Sequence, residues 1–142
     1  MSTRPTHPEG PVVVAYAPDR FGRAALDHGA RTARTDGVAL IIVNATRGDA
    51  YVDKRFAADD ELAALERELS ADGLAVSVRH DLVDDVADAV VAVADAEEAS
   101  LIVVGVRRRT AVGKALLGSV AQRVILDAHC PVLAVKPDED AQ

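Results

Sequence analysis

The sequence predicts an α/β protein built on a doubly wound, five-stranded parallel sheet with helices on both faces. Five short apolar runs alternate with four longer segments that have helical character. Strands that are separated by single helices must run parallel and are joined by right-handed crossovers. A chain of 142 residues is ordinarily one domain that buries a true core. These observations define the fold class before any motif is considered.

The first strand and helix are bounded by clear signals. Residues 11–17 hold a continuous apolar run that is typical of a strand covered on both faces. Asp19 is a preferred N-cap residue, so we predict a helix over residues 20–35, whose small alanines permit close packing on the sheet. Gly37 ends this helix, and residues 38–43 predict the second buried strand.

The middle of the chain is less regular. The segment from Arg47 to Phe56 shows no pattern that predicts a structure or a role. Residues 58–72 place three leucines on one face at helical spacing, and Gly73 ends that helix. Alternation over residues 74–79 predicts a strand with one exposed face, at an edge of the sheet.

A third helix is predicted over residues 84–96, and it begins with Asp84, Asp85 and Asp88. Carboxylates are expected in the first turn of a helix, because they cap its free N–H groups and oppose its dipole. Capping is therefore favoured over a metal site. Residues 101–104 predict the fourth buried strand.

The last helix is predicted over residues 119–128, and residues 131–137 predict a final strand bracketed by prolines. The domain is expected to span residues 11–137. A disordered lead-in of residues 1–10 precedes it, and an acidic tail of residues 138–142 follows it.

The overall composition excludes several classes of function. A net charge of −7 opposes general binding to the phosphate backbone of nucleic acids. Aromatic residues make up 3% of the chain, which argues against stacking on single-stranded bases. No stretch is long and apolar enough to span a membrane, and the first ten residues lack the apolar core of a signal peptide. Because Cys130 is also the single cysteine, we expect a cytoplasmic protein without membrane or nucleic-acid partners.

The segment between Gly105 and Gly118 is rich in positive charge and contains no acidic residue. It follows an apolar strand and precedes a helix, so it presents free backbone N–H groups and the positive end of a helix dipole. An acidic protein steers an anion to such a place, although a charge run also occurs as a solvated loop tip. A phosphorylated ligand is the first hypothesis. The cationic residues are Arg107, Arg108, Arg109 and Lys114.

The expected place of this ligand follows from the fold class. Doubly wound sheets bind ligands beyond the carboxyl ends of the strands, at the point where the strand order reverses. If the first and fourth strands flank that point, the basic segment faces Ala17 and Asp19.

Several common motifs are absent. Gly113 and Lys114 suggest a P-loop, but that pattern needs glycine where this chain has Arg108 and Ser or Thr where it has Ala115. The end of the first strand lacks the glycines of a dinucleotide fingerprint. Ser119 lacks the second glycine of a nucleophile elbow, so its better uses are N-capping or a hydrogen bond to phosphate. The four histidines show no metal-ligand spacing, and we identify no catalytic constellation.

The C-terminal third of the chain carries a resemblance. Gly105 is followed, thirteen positions on, by Gly118 and Ser119, and then by residues 120–124 and 130–135. The chain thereby resembles the universal stress protein family. That family's motif of glycine, two residues, glycine, nine residues, glycine and serine or threonine ends a single α/β domain. The order of the predicted elements agrees with this family over nearly the whole chain.

The resemblance implies a nucleotide site. In the ATP-binding members, the loop glycines and the hydroxyl residue hold the triphosphate, while backbone at the end of the second strand contacts adenine. By position, the resemblance places Ala45 near the base. It assigns the phosphates and the ribose to Gly105, Gly118, Ser119 and Val120.

Two departures from the motif bear on this site. The motif's second glycine is Arg108 here, so a side chain stands where backbone would approach phosphate. The acid that usually ends the first strand and helps to hold the nucleoside is Ala17. A charge-assisted, bidentate hydrogen bond from arginine would compensate for the missing glycine, and Arg107 and Arg108 are therefore included among the candidate binding residues.

The favoured function is binding of ATP or a related adenine nucleotide, with or without Mg²⁺, by a stress-response regulator or sensor. Any ATP hydrolysis is expected to be slow, because no base or water-positioning residue is evident. The alternative is a nucleotide-free dimeric interaction module of the same fold, whose variant loop binds no cofactor.

A homodimer is expected in both cases. The final strand, from Val132 to Lys136, is apolar on both faces and is predicted at an edge of the sheet, where unpaired backbone groups invite antiparallel pairing with a second copy. The resemblance implies the same arrangement.

Overall fold

A computed structural model of the protein describes residues 8–44, 46–47, 52–79, 82–83, 85–106 and 118–137. Strands and helices alternate along this part of the chain. The strands are β1 (Val12–Ala15), β2 (Leu40–Val43), β3 (Thr46–Arg47), β4 (Val76–Arg79), β5 (Leu82–Val83), β6 (Leu101–Gly105) and β7 (Val132–Val135). The helices are α1 (Arg20–Asp36), α2 (Val52–Ser70), α3 (Val86–Ala96) and α4 (Ser119–Asp127).

The main sheet has five parallel strands in the order β4-β2-β1-β6-β7. Central strand β1 pairs on one side with β2, Val12 opposite Leu40, and on the other with β6, Val12 opposite Leu101. The strand order reverses between β1 and β6. The predicted fold class is confirmed, as are the edge positions of β4 and β7.

The core forms two layers, one on each face of this sheet. Buried residues of α1 and α2, among them Leu26 and Leu62, pack with Val12 and Val14 on one face. On the other face, α3 and α4 cover Val13 and the alternate residues of β2 and β6. Because β1 and β6 are buried on both faces, their sequences are continuous apolar runs rather than alternating ones.

Helix α1 begins and ends where the sequence indicates. The Asp19 side chain accepts a hydrogen bond from the backbone N–H of Gly22 at 2.8 Å, which is the N-cap contact. Gly37 adopts a left-handed conformation with φ 69°, and its N–H donates to the carbonyl of Ala33. The start of α1 is thereby held at the carboxyl end of β1.

Two boundaries in the middle of the chain differ from the prediction. Helix α2 begins at Val52 and ends at Ser70 instead of covering residues 58–72, because its first turns carry no apolar stripe in the sequence to mark them. Strands β3 and β5 form a separate parallel ladder of two residues each, which was not predicted because two residues are too few to show a period.

Helix α3 starts at Val86 rather than Asp84, and Asp85 is its N-cap, accepting from the N–H of Asp88 at 3.0 Å. Arg123 of α4 binds both carboxylates, at 2.9 Å from Asp85 and 2.8 Å from Asp88. The N–H of Asp88 and then the Arg123 guanidinium lower the pKa of Asp85 below its ordinary value. Within the described ranges, no group of acidic, histidine or cysteine residues is arranged to hold a metal ion.

Helix α4 excludes one of the two uses expected of Ser119, that of an N-cap. Gly118 occupies the cap position with φ 84°, a backbone conformation that favours glycine, and Ser119 is the first helical residue. The helix ends at Asp127, one residue before the predicted end. No helix in the described ranges combines the length and the apolar character needed to cross a bilayer.

Candidate functional site

A cleft of about 390 Å³ opens at the carboxyl ends of β1 and β6, where the strand order of the main sheet reverses. Its walls come from the ends of these two strands and from the N-terminal ends of α1, α3 and α4. The described lining residues include Ala15, Tyr16, Ala17, Asp19, Phe21, Gly22, Val43, Val86, Val104, Gly105, Gly118, Ser119, Val120 and Ala121.

Two glycines allow helix α1 to start directly against the sheet. A Cβ atom on Gly22 would collide with the backbone of Ala17, and one on Gly105 would collide with the backbone carbonyl of Phe21. Neither obstacle is a side chain that could rotate away. The missing side chain of Gly105 is therefore required by the packing of α1 on β6, a reason separate from any approach of a phosphate.

The opposite wall is the N-terminus of α4. Gly118, Ser119 and Val120 are exposed there, and a Cβ on Gly118 would meet no described atom within 4 Å. The first turn of a helix has backbone N–H groups without intrahelical partners, and the cap residue here, Gly118, has no side chain to bind them. This wall thus presents the start of a helix and a hydroxyl residue, which is an arrangement suited to an anion.

Between these walls the cleft is mostly apolar. Val43, Val86 and Val104 contribute hydrocarbon surface of the kind that receives a flat ring. The hydroxyl of Tyr16 is engaged within the chain, because it donates to Oε2 of Glu61 at 2.7 Å. Burial and then this contact raise the pKa of Tyr16 to about 12, so the phenol stays protonated at neutral pH.

The structure brings four of the predicted site residues to one cleft: Gly105, Gly118, Ser119 and Val120. Ala17 and Asp19 line the same cleft, on the side of β1. Three other predicted residues, Ala45, Arg107 and Arg108, lie outside the described residues.

Sequence reasoning did not place several of the lining residues at the site, among them Phe21 and Val86. Phe21 contributes its backbone in the first turn of α1. Its importance depends on a close approach to Gly105 in the folded chain, which a sequence does not show. Val86 is the first residue of α3. The sequence contained a signal for it, because Asp85 before it is a recognisable N-cap residue and helices begin at this edge of a parallel sheet.

The fold and the cleft together define a class of protein: a single doubly wound α/β domain with a ligand cleft at the switch point of its parallel sheet. Comparison with known proteins gives the family. The model of the Universal stress protein family matches residues 10–136, and the chain belongs to that family. A universal stress protein from Mycolicibacterium smegmatis is 45% identical over 126 residues, which cover 89% of this chain and 97% of that protein.

Two solved structures of similar proteins contain nucleotides. One is the universal stress protein from Archaeoglobus fulgidus in complex with dAMP, which is 27% identical with a TM-score of 0.68, covering 89% of this chain and 98% of that one. The other is a universal stress protein in complex with cAMP, 25% identical with a TM-score of 0.65, covering 92% of this chain and 99% of that one.

Proposed function

We propose that this protein binds ATP or a related adenine nucleotide in the cleft between β1 and β6 and acts in the cytoplasm as a stress-response regulator or sensor. The observation that carries the proposal is the cleft itself, which joins an apolar interior to the N-terminus of α4 at Gly118 and Ser119. Its volume lies within the range of about 300 to 1,000 Å³ that is usual for small-molecule sites. The relatives that hold dAMP and cAMP support the choice of an adenine nucleotide.

The proposed role of each residue follows from the wall of the cleft on which it lies. In the proposal, Gly105, Gly118, Ser119 and Val120 contact the phosphates and the ribose. Ser119 is exposed in the first turn of α4, which supports the use of its hydroxyl by a phosphate. Ala45, which lies outside the described residues and follows β2 in the sequence, is assigned to the base in the proposal.

The cations of the segment between Gly105 and Gly118 complete the proposed phosphate site. Arg107 and Arg108 would donate charge-assisted hydrogen bonds to phosphate oxygens. Mg²⁺, where present, would accompany the phosphates of ATP. The protein is thus proposed to bind ATP and to hydrolyse it only slowly.

The second candidate is a dimeric interaction module that works without a nucleotide. It is favoured by apolar side chains exposed on α4 and β7, of which Leu126 is 74% exposed and Leu133 is 39% exposed. Burial of such apolar side chains against a partner would stabilise a complex.

A homodimer through β7 is part of both candidates, and the backbone of this strand supports it. The carbonyls of Pro131 and Val135 accept hydrogen bonds from β6, so the alternate residues Val132 and Ala134 direct their backbone groups toward the outer edge. In the described ranges no strand pairs with that edge. We propose that the β7 strand of a second copy does so in antiparallel fashion.

Calorimetric titration with ATP, with and without Mg²⁺, tests the proposed function. The wild type is expected to bind one nucleotide per chain, and Arg108→Ala to bind it about tenfold or more weakly, since a hydrogen bond to a charged group contributes about 1.5 to 3 kcal/mol. Arg31→Ala is the matched control, because it removes the same charge from an exposed position of α1 and is expected to leave the affinity unchanged. Absence of heat with the wild type at millimolar ATP would favour the interaction module.

A further inference from the structure

Helices α3 and α4 lie side by side on one face of the main sheet, and both begin at the cleft. Val86, the first residue of α3, and Val120, in the first turn of α4, line its wall. Ser119, which is proposed to contact phosphate, is the first residue of α4. The placement of α4 relative to α3 therefore decides where the proposed phosphate contacts lie.

Apolar packing constrains the first turns of these two helices only weakly. Ala87 of α3 and Ala121 of α4 belong to one buried cluster and are 2% and 4% exposed. A methyl group makes few van der Waals contacts, so it resists the sliding of one helix past another less than a longer side chain does. The larger Val90 and Val124 join the same cluster further along each helix. A polar contact between the two helix starts would thus add a constraint that the alanines do not supply.

Arg123 of α4 makes such a contact. Its Nη1 donates to Oδ2 of Asp85 at 2.9 Å, and its Nη2 donates to Oδ1 of Asp88 at 2.8 Å. Its Nε lies 3.6 Å from Oδ2 of Asp127 in the same helix. A guanidinium is a planar fork with donors in fixed directions, so the two contacts with α3 are made together in one relative placement of the helices. We refer to Arg123, Asp85 and Asp88 as the α3–α4 clamp.

The clamp holds the start of α3 itself, because Asp85 has two roles there. Its Oδ1 accepts from the N–H of Asp88 at 3.0 Å as the N-cap, while its Oδ2 accepts from Arg123. The cap fixes the carboxylate that the guanidinium binds. Asp85 directly precedes Val86, and Arg123 lies three residues after Val120, so the clamp is close to the cleft on both helices. Arg123 itself is not among the described residues that line the cleft.

We infer that Arg123 is a positioning residue for the nucleotide site. It contacts no ligand, and through the clamp it places the first turn of α4, including Ser119, for the phosphates. This inference rests on the proposed function. It adds that the affinity for a nucleotide depends on a side chain outside the cleft, and that lysine cannot replace it, because a single ammonium group lacks the planar fork.

Calorimetric titration of Arg123→Lys with ATP tests this inference. The variant keeps the positive charge and loses the fork. It is expected to remain folded, as judged by circular dichroism, because ion pairs this exposed contribute little to stability. We expect it to bind ATP about fivefold more weakly than the wild type, since the fraction of molecules in which α4 is correctly placed limits the apparent affinity.

Arg34→Lys is the matched control. Arg34 of α1 forms an ion pair with Asp72 at 3.1 Å, and its side chain is 41% exposed, compared with 46% for Arg123. This pair lies at the separate depression that Gly37 and Gly73 line, away from the cleft. The same substitution is therefore expected to leave the affinity for ATP unchanged.

A double-mutant cycle separates positioning from a direct contact with the ligand. Asp85→Asn combined with Asp88→Asn removes both carboxylates and keeps the cap of α3, because asparagine is a good N-cap. In this background the addition of Arg123→Lys is expected to change the affinity for ATP by less than about twofold.

Two results would overturn the inference and leave the proposed function intact. One is an affinity of Arg123→Lys for ATP within about twofold of the wild type, and the other is the full loss recurring when both carboxylates are already absent. The latter would show that Arg123 acts without them. Failure of the wild type to bind ATP would overturn the inference and the proposed function together.

Discussion

Replacement of Gly105 by alanine is expected to lower the free energy of unfolding by about 3 kcal/mol, at the upper end of the range for overpacked sites. The new methyl group would collide with the backbone carbonyl of Phe21, which cannot rotate away as a side chain would. Relief requires the first turn of α1 to move off β6. Since Asp19 and Gly22 line the cleft from that turn, the variant is also expected to bind nucleotide at least tenfold more weakly.

Thermal and urea unfolding, followed by circular dichroism, measures the change in stability. Gly118→Ala is the comparison for backbone strain without a collision, because its new methyl group would meet no described atom, whereas a φ of 84° with a ψ of 151° costs a residue with a side chain about 1 to 3 kcal/mol. A Gly105→Ala protein as stable as the wild type to within about 0.5 kcal/mol would contradict the close packing of α1 on β6.

Introduction of a negative charge on β7 is expected to convert a dimer into a monomer. Ala134 is exposed on the edge strand, and in an antiparallel pair of β7 strands Ala134→Glu places two like charges close to each other across a two-fold axis. Like charges opposite one another destabilise a strand pair, and the glutamates must also leave water at an apolar interface. We expect the dissociation constant of the dimer to rise by about tenfold or more.

Sedimentation velocity over a range of micromolar concentrations distinguishes these states. Ser77→Glu is the control, because it adds the same charge to an exposed position on β4, the strand at the other edge of the sheet, and this variant is expected to remain dimeric. A monomeric wild type, or an Ala134→Glu protein that still forms the dimer, would show that β7 is not the interface.

The sequence predicted most of the architecture because its strongest signals are periodic or local. The apolar runs of β1, β2 and β6 and the caps at Asp19 and Gly37 lie where they were expected. The start of α2 and the short β3–β5 ladder escaped prediction, since neither carries a hydrophobic period.

The position of the candidate site could be predicted from the sequence, but the packing that requires its glycines could not. The position of Gly105 and Gly118 at one cleft follows from the rule for switch points in parallel sheets. The need for glycine at position 105 to make room for the backbone of Phe21 does not follow from that rule, because the distance between two backbones is a property of the folded chain. Of the two uses expected of Ser119, the N-cap was wrong for a related reason: the chain enters α4 with a positive φ, which gives the cap position to glycine.

The central claim is that a nucleotide binds where β1 and β6 separate, and a nuclear magnetic resonance titration of ¹⁵N-labelled protein with ATP tests it most directly. The account predicts saturable shifts of the backbone N–H signals of Gly105, Gly118 and Ser119. Those of Gly37 and Gly73, which line a separate depression away from the cleft, are predicted to stay unchanged. Saturable shifts confined to residues outside the cleft, or no shifts at millimolar ATP, would contradict it.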